Sequence, residues 1–206
     1  MPMTLTFYTN PMSRGRIARW MLEEVDADYE TVVLDYSGSM KAADFVAINP
    51  MGKVPAIVHD GHIVTEGAAI CAYLADTYAE MGLTPTAAER ANYYRWLFFA
   101  AGPVEAAVTN KSLAFEVPEG RDRMAGYGTF DLMVHTLERA VGAHEWIAGD
   151  RFTAADVYVG AQVMWGLQFK SIPTRPAFEA YAARLGAREA YRRASAKDDA
   201  LMPAAQ

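Results

Sequence analysis

Cysteine is nearly absent from this chain: Cys71 is the single one among 206 residues. That excludes an intrachain disulfide framework and any zinc cluster built on several cysteines, and it fits a reducing compartment. Runs of lysine and arginine are missing too, and the formal net charge is −6. Neither nucleic acid nor an anionic membrane is therefore expected as a principal partner, although a locally basic pocket for an anionic ligand is still allowed. Long apolar runs are also lacking. The longest strong one, Trp96 to Ala101, falls far short of the ~18 residues that suggest a membrane span. The opening MPMTLTFY has no basic region followed by an apolar one, so no signal peptide is read there. No repeat or low-complexity tract appears. What is present is a composition 52% hydrophobic and 21% charged, enough for a sizeable core. The expectation is a cytoplasmic globular protein.

The chain changes character near residue 81. Before it, strand-like and helical segments alternate. MTLTFY alternates and ends in aromatics, as a strand does, and from Ile17 the residues Ile17, Met21 and Val25 follow helical spacing. YETVVLD is rich in β-formers, and MKAADFVAI is a short helix ended by Asn49-Pro50. KVPAIVHDGHIVT reads as a hairpin about the turn Asp60-Gly61, and Glu66 to about Ala79 as a helix. This order predicts an α/β domain with a mixed sheet and helices on its faces. Beyond MGLTPTAAER nearly everything is helical. One long helix carries Trp96, Phe99 and Val104 with a bend at Gly102-Pro103, another covers about Arg121 to Val141, and a third spans FTAADVYVGAQVMWGLQF. One or two shorter helices are expected over Pro176 to Ala196, with the last ten residues frayed. The expected division is 1–80 for the α/β domain, 81–86 for a linker and 87–206 for an all-α domain.

Several short motifs carry chemical possibilities. FYTNPMSRGR joins a strand end to a helix start and holds two hydroxyls, Tyr8 and Ser13, flanking the loop. In Lys53-Val54-Pro55 the proline stands at a strand start; a cis bond there would turn the backbone of Val54 toward a ligand, and a trans edge proline is the plainer reading. Thr65-Glu66-Gly67 lies at a strand-to-helix junction, where free N–H groups could receive a carboxylate and Glu66 an ammonium group. The plainer reading there is a Thr65 cap. Thr153 and Asp156 have capping-box spacing, with Phe152 and Val157 spaced as a hydrophobic staple. Asp156 is read as a folding residue, not a catalytic carboxylate. Cys71 falls among Ile70, Ala72 and Leu74 and is read as a small buried hydrophobe. His59 and His62 flank the hairpin turn and are read as exposed polar residues, so no metal site is expected.

Together FYTNPMSRGR, INPMGKVPAIVHDGHIVTEGAAICAYLAD and RFTAADVYV resemble the cytosolic glutathione transferases, in order and spacing across nearly the whole chain. The resemblance is to bacterial, theta- and beta-like members with a Ser at the activating position. It implies a thioredoxin-like N-terminal domain, an all-α C-terminal domain, a homodimer, and glutathione as co-substrate with no other cofactor. It further implies a cis-Pro55 with the Val54 backbone pairing with the cysteinyl part of glutathione. Lys53 would lie near the glycyl carboxylate, and Glu66 with Gly67 would hold the γ-glutamyl end. Many members have Ser or Thr where this chain has Gly67, so a hydroxyl donor is lost while the backbone N–H remains.

The anion to be held is then a thiolate. Lowering a thiol pKa of about 8.5 by two units requires about 2.7 kcal/mol. One hydrogen bond to a charged group supplies roughly 1.5–3 kcal/mol and a helix N-terminus about 0.3–1 kcal/mol. One well-placed donor suffices. The candidates are Ser13, then Tyr8, then Asn10; Arg14 and Arg16 are read as a solvated face. An apolar electrophile would meet the thiolate in a cleft between the domains, with Met12, Phe99, Val104, Phe115, Trp165 and Phe169 as candidate lining. A glutathione-dependent peroxidase, isomerase or dehalogenase, and a non-catalytic binding protein, stand as alternatives on the same fold.

Overall fold

The computed structural model describes residues 4–202. Their contacts divide the chain into two units, one holding the residues up to Met81 together with those from Ala187, the other Gly82–Gly186.

The first unit is built on a four-stranded sheet. Its elements are β1 (Leu5–Thr9), α1 (Gly15–Glu24), β2 (Glu30–Val33), α2 (Ala43–Ile48), β3 (Ala56–His59), β4 (His62–Thr65) and α3 (Gly67–Thr77). The strand order is β2-β1-β3-β4, with β1 and β2 parallel and the other pairings antiparallel. This is the mixed sheet expected of a thioredoxin-like domain. In β1 the alternation buries Leu5, Phe7 and Thr9 and leaves Thr6 and Tyr8 half-buried. Thr9 approaches α1, whereas Tyr8 packs with Phe45 of α2, so the two helices cover opposite faces. The hairpin turn follows its residues: Asp60 at φ +48° and Gly61 at φ +81° are the two positive angles a tight I′ turn requires.

α1 is buried nearly all round and packs on α3 and on α9 (Glu189–Asp199). The membership of α9 differs from the expectation that placed residues 87–206 in one helical domain. Its ties are to α1: Arg188 pairs with Glu24, Arg193 and Lys197 pair with Glu23, and Arg19 pairs with Asp198 at 2.8 Å with both side chains buried. The expected fraying of the last ten residues does not hold for the first three of them. Lys197–Asp199 complete α9, and residues 203–206 lie outside the described residues.

The second unit contains α4 (Arg90–Phe99), α5 (Glu105–Ser112), α6 (Phe130–Gly142), α7 (Ala154–Gln168) and α8 (Pro176–Gly186). Between α4 and α5 lies a π-helical turn, Ala100–Val104, carrying Pro103. Its wider winding takes up a residue that offers no N–H, at the bend expected there. The helix expected from Arg121 begins only at Phe130, after a 3₁₀ turn at Asp122–Met124. Gly126 and Gly128, the latter at φ +66°, break the pattern, and Thr129 caps α6 by accepting the Leu132 N–H at 3.1 Å. α7 is buried nearly all round and contacts α4 and α8. Among the described residues no helix is long and apolar enough to cross a membrane.

Candidate active site

Sheet register brings three distant motifs together. Tyr8 pairs with Ala56, and Ala56 pairs with Thr65. The end of β1, the start of β3 and the end of β4 therefore lie side by side, about 4.8 Å apart per strand. The loop Asn10–Arg14, the Val54-Pro55 bond and the Glu66-Gly67 junction leave the sheet from that one end.

The loop before α1 is folded by its own polar groups. The Asn10 side chain is buried; its Nδ2 donates to Leu34 O at 2.7 Å and its Oδ1 accepts the Met12 N–H at 2.9 Å. This local turn is the kind asparagine favours. Ser13 is half-buried. Its hydroxyl donates to Asn10 O at 2.7 Å and accepts the Gly15 N–H at 2.9 Å. Ser13 thus satisfies one of the free N–H groups at the start of α1 while standing where the helix dipole favours negative charge. Gly15 is required by close approach: a Cβ there would lie 2.0 Å from Thr9 Oγ1. Arg16 is not part of a solvated face, because it is half-buried and bonded both to Pro11 O and to Asp199. Tyr8 stands apart from this hydrogen-bonded loop, its ring against Phe45 at 5.5 Å.

The Val54-Pro55 bond is cis. Val54 is half-buried against the cluster of Leu34, Met40, Phe45 and Ala56, while Lys53 is exposed. The segment before it is fixed by Asn49 Nδ2 donating to Lys53 O and Lys41 Nζ donating to Gly52 O, each at 2.7 Å. Glu66 is exposed and held at φ +67°, a strained angle for a residue with a side chain. α3 starts at Gly67, and Thr65 makes no side-chain cap to it; the N-cap is Glu66, which also caps nothing. The first N–H groups of α3 thus lie beside an exposed carboxylate at this end of the sheet, a fitting receptor for a ligand end that carries both charges.

Other candidates are distributed differently. Met12 is exposed in the first unit. In the second unit Phe99 and Trp165 are half-buried and Phe169 is exposed. Val104 is 1% exposed, a core residue of its unit that presents no surface for a ligand. Phe115 lines a cavity of about 600 Å³ together with Lys111, Tyr127 and Phe130. Cys71 is fully buried in α3, and burial pushes its thiol well above the ordinary value. His59 is buried, against the expectation of an exposed hairpin residue: Nδ1 is 3.0 Å from Tyr73 Oη and the ring stacks on Tyr78. Among the described residues no group of three or more His, Cys, Asp and Glu could hold a metal ion.

Asp156 lies within the core of the second unit. Its carboxylate accepts the N–H of Thr153 at 2.9 Å, the Thr153 hydroxyl at 3.0 Å, the Ile147 N–H at 2.7 Å and the Tyr181 hydroxyl at 2.8 Å. Burial pushes its pKa up, and those four donors act against that push. Sequence reasoning found Thr153 and Asp156 but not Tyr181 or Ile147, which local spacing cannot supply. It likewise gave no role to Tyr36, whose hydroxyl donates to Met12 O at 3.0 Å.

The family model for the glutathione S-transferase N-terminal domain matches residues 3–76. Glutathione S-transferase GST-4.5 of Xanthomonas campestris pv. campestris is 30% identical over 169 residues, 78% of this chain and 82% of that protein. A crystal structure of a glutathione transferase from Methylococcus capsulatus is 29% identical with a TM-score of 0.78, covering 96% of this chain and 100% of that one. The theta class glutathione S-transferase of Xanthomonas axonopodis pv. citri, solved with glutathione bound, is 27% identical with a TM-score of 0.75, covering 95% of this chain and 98% of that one. The cis-proline end of the sheet thus lies within the matched domain, and the likeness to the relatives extends through the helices that follow: the chain belongs to the glutathione S-transferase family.

Proposed function

We propose that this glutathione transferase holds the glutathione thiol as a thiolate at Ser13 and directs it at an apolar electrophile. The observation that carries the reading is the Ser13 hydroxyl at the start of α1, already accepting the Gly15 N–H. With that bond kept, the hydroxyl proton is free to turn from Asn10 O to a ligand sulfur. The thiol proton leaves to solvent, a sulfur–carbon bond forms, and the leaving group departs with its electron pair. The chain's contribution is nucleophile activation and placement. Val54 would pair its backbone with the cysteinyl unit, Lys53 would approach the glycyl carboxylate, and Glu66 with the Gly67 N–H would take the γ-glutamyl end. Asn10 is the next donor, its Nδ2 already engaged with Leu34 O. Tyr8 ranks last because its ring packs on the α2 face. Phe115 and its cavity in the second unit are the surface proposed for the electrophile; Phe99, Trp165 and Phe169 are further apolar side chains of that unit, and Met12 is an exposed one of the first. The exposed Met51 is a proposed contact of a homodimer, to be tested by light scattering.

Replacing Ser13 by Ala is expected to raise the pKa of bound glutathione and to lower turnover of an aryl halide by about 10- to 100-fold, the span of one hydrogen bond to a charged group. Thiolate absorbance of the complex measures this directly. An Ser13→Ala protein whose thiolate titrates as in the parent would sink the assignment. Glutathione binding without thiol activation is the second reading, favoured by the Ser13 proton's bond to Asn10 O. Calorimetry together with thiolate absorbance separates the cases: a complex that binds glutathione but shows no thiolate near neutral pH supports that second reading.

A further inference from the structure

Three consecutive carbonyls of the loop before α1 are each bonded to a side chain. Asn10 O accepts from Ser13 itself. Pro11 O accepts the Arg16 Nε–H at 2.6 Å, and Met12 O accepts the Tyr36 hydroxyl at 3.0 Å. The last two bonds tie the loop to structure outside it. Tyr36 lies in a turn knotted by Asp35, whose carboxylate accepts the N–H groups of Gly38 and Ser39 and the Ser39 hydroxyl. These bonds hold Asp35 well below the ordinary carboxylate range. Arg16 in turn is fixed by its Nη2, which donates to Asp199 Oδ1 at 2.8 Å in the last turn of α9. That turn cannot drift, because the neighbouring Asp198 is buried against Arg19 at 2.8 Å.

We propose that Tyr36 and Asp199 are positioning residues for thiol activation, Tyr36 acting through Met12 O and Asp199 through Arg16 and Pro11 O to aim the Ser13 hydroxyl. The inference rests on Ser13 being the donor. A hydrogen bond weakens steeply as its angle closes, so a loop free to rock would waste the hydroxyl even at the right distance. Both struts are exposed at their outer ends, and exposed pairs of this kind add little to stability. Their effect belongs on the chemistry, not on the fold. Arg16 has a second conceivable action, attraction of the anion by its charge, and the two actions give opposite signs. Removing the Asp199 charge would strengthen any attraction by Arg16, but it would loosen the strut.

The experiment compares the parent with Tyr36→Phe, Asp199→Asn, Arg16→Lys and Ser13→Ala, reading thiolate absorbance of the glutathione complex against pH, kcat and KM for an aryl halide, and melting temperature. Tyr36→Phe, Asp199→Asn and Arg16→Lys are each expected to lower the thiolate equilibrium by about 2- to 10-fold. That loss should appear in kcat, with KM and melting temperature close to the parent. Arg16→Lys keeps the charge and loses the planar fork, so it separates geometry from attraction. A variant that titrates as the parent overturns the role of the residue it replaces, and a thiolate fraction that rises in Asp199→Asn overturns the strut in favour of charge. If those variants are silent while Ser13→Ala shifts the titration, this inference alone fails. If Ser13→Ala is itself silent, the donor assignment fails and takes this inference with it.

Discussion

The starts of α1 and α7 use similar chemistry for opposite ends. Each has a small hydroxyl residue and a set of backbone N–H groups at a helix N-terminus. At α7 every acceptor site of Asp156 is filled from within the unit, and both Thr153 and Asp156 are fully buried. At α1 the helix start stays half-exposed, and the Ser13 hydroxyl donates to Asn10 O within a part-buried loop. A polar cluster closed on itself supports a fold. One with a donor that can be redirected at little cost is available for the reaction proposed for it. The difference lies less in residue type than in whether the partners are buried with it.

The largest expected effect tests the closed end. Asp156→Ala should destabilise the protein by about 3–5 kcal/mol, because it strands buried donors from Ile147, Thr153 and Tyr181. Chemical denaturation measures this. A loss below about 1 kcal/mol would mean that the cluster is no better than a surface contact, and the comparison would break. Ser13→Ala should show the reverse pattern, a large loss of turnover with a change in stability of only about 0.5–1.5 kcal/mol for the accepted Gly15 bond.

A smaller effect asks how tightly the open helix start is fitted. Gly15→Ala would place a Cβ against the Thr9 hydroxyl, which is buried without a hydrogen-bond partner. A cost of about 1–3 kcal/mol is expected from overpacking. The double variant Thr9→Ala with Gly15→Ala should recover part of it, and a double-mutant cycle with no coupling would show that the two sites do not meet.

How much of this could be read from the chain depends on how far each partner lies along it. The β1 alternation, the Asp60-Gly61 turn and the spacing of Thr153 with Asp156 are signals within a few residues, and each gave the element seen. The late start of α6 is hidden from helical periodicity, which runs on through Gly126 and Gly128, residues better suited to a loop. His59 looked exposed beside its turn because Tyr73 and Tyr78, which cover it, come from the middle and the C-terminal end of the following helix. The place of α9 had no local signal at all, since Arg19 and Asp198 are 179 positions apart. The candidate donors Ser13, Asn10 and Tyr8 were visible, but which face of β1 Tyr8 takes and what holds the loop were not. Those depend on Phe45, Tyr36 and Asp199, three residues that no motif includes.

The smallest expected effect sharpens the comparison from the other end of α1. If its start is open for chemistry, the helix must be held elsewhere, and Glu23 is where α9 holds it. Burial alone would raise the Glu23 pKa; hydrogen bonds from Lys197, Tyr29 and Arg193 outweigh it and keep the carboxyl below its ordinary value of 4.5. A depressed folded-state pKa means stability that is present above the unfolded value and lost as pH falls through the folded one. Unfolding free energy should therefore decline with acidity below about pH 4.5, and Glu23→Gln should flatten that decline while lowering stability at neutral pH. Urea titrations at a series of pH values measure both. If Glu23→Gln keeps the parent's acid slope, the clamp is carried by Arg19 with Asp198 and by Glu24 with Arg188, and the rear of α1 is held by those two pairs alone.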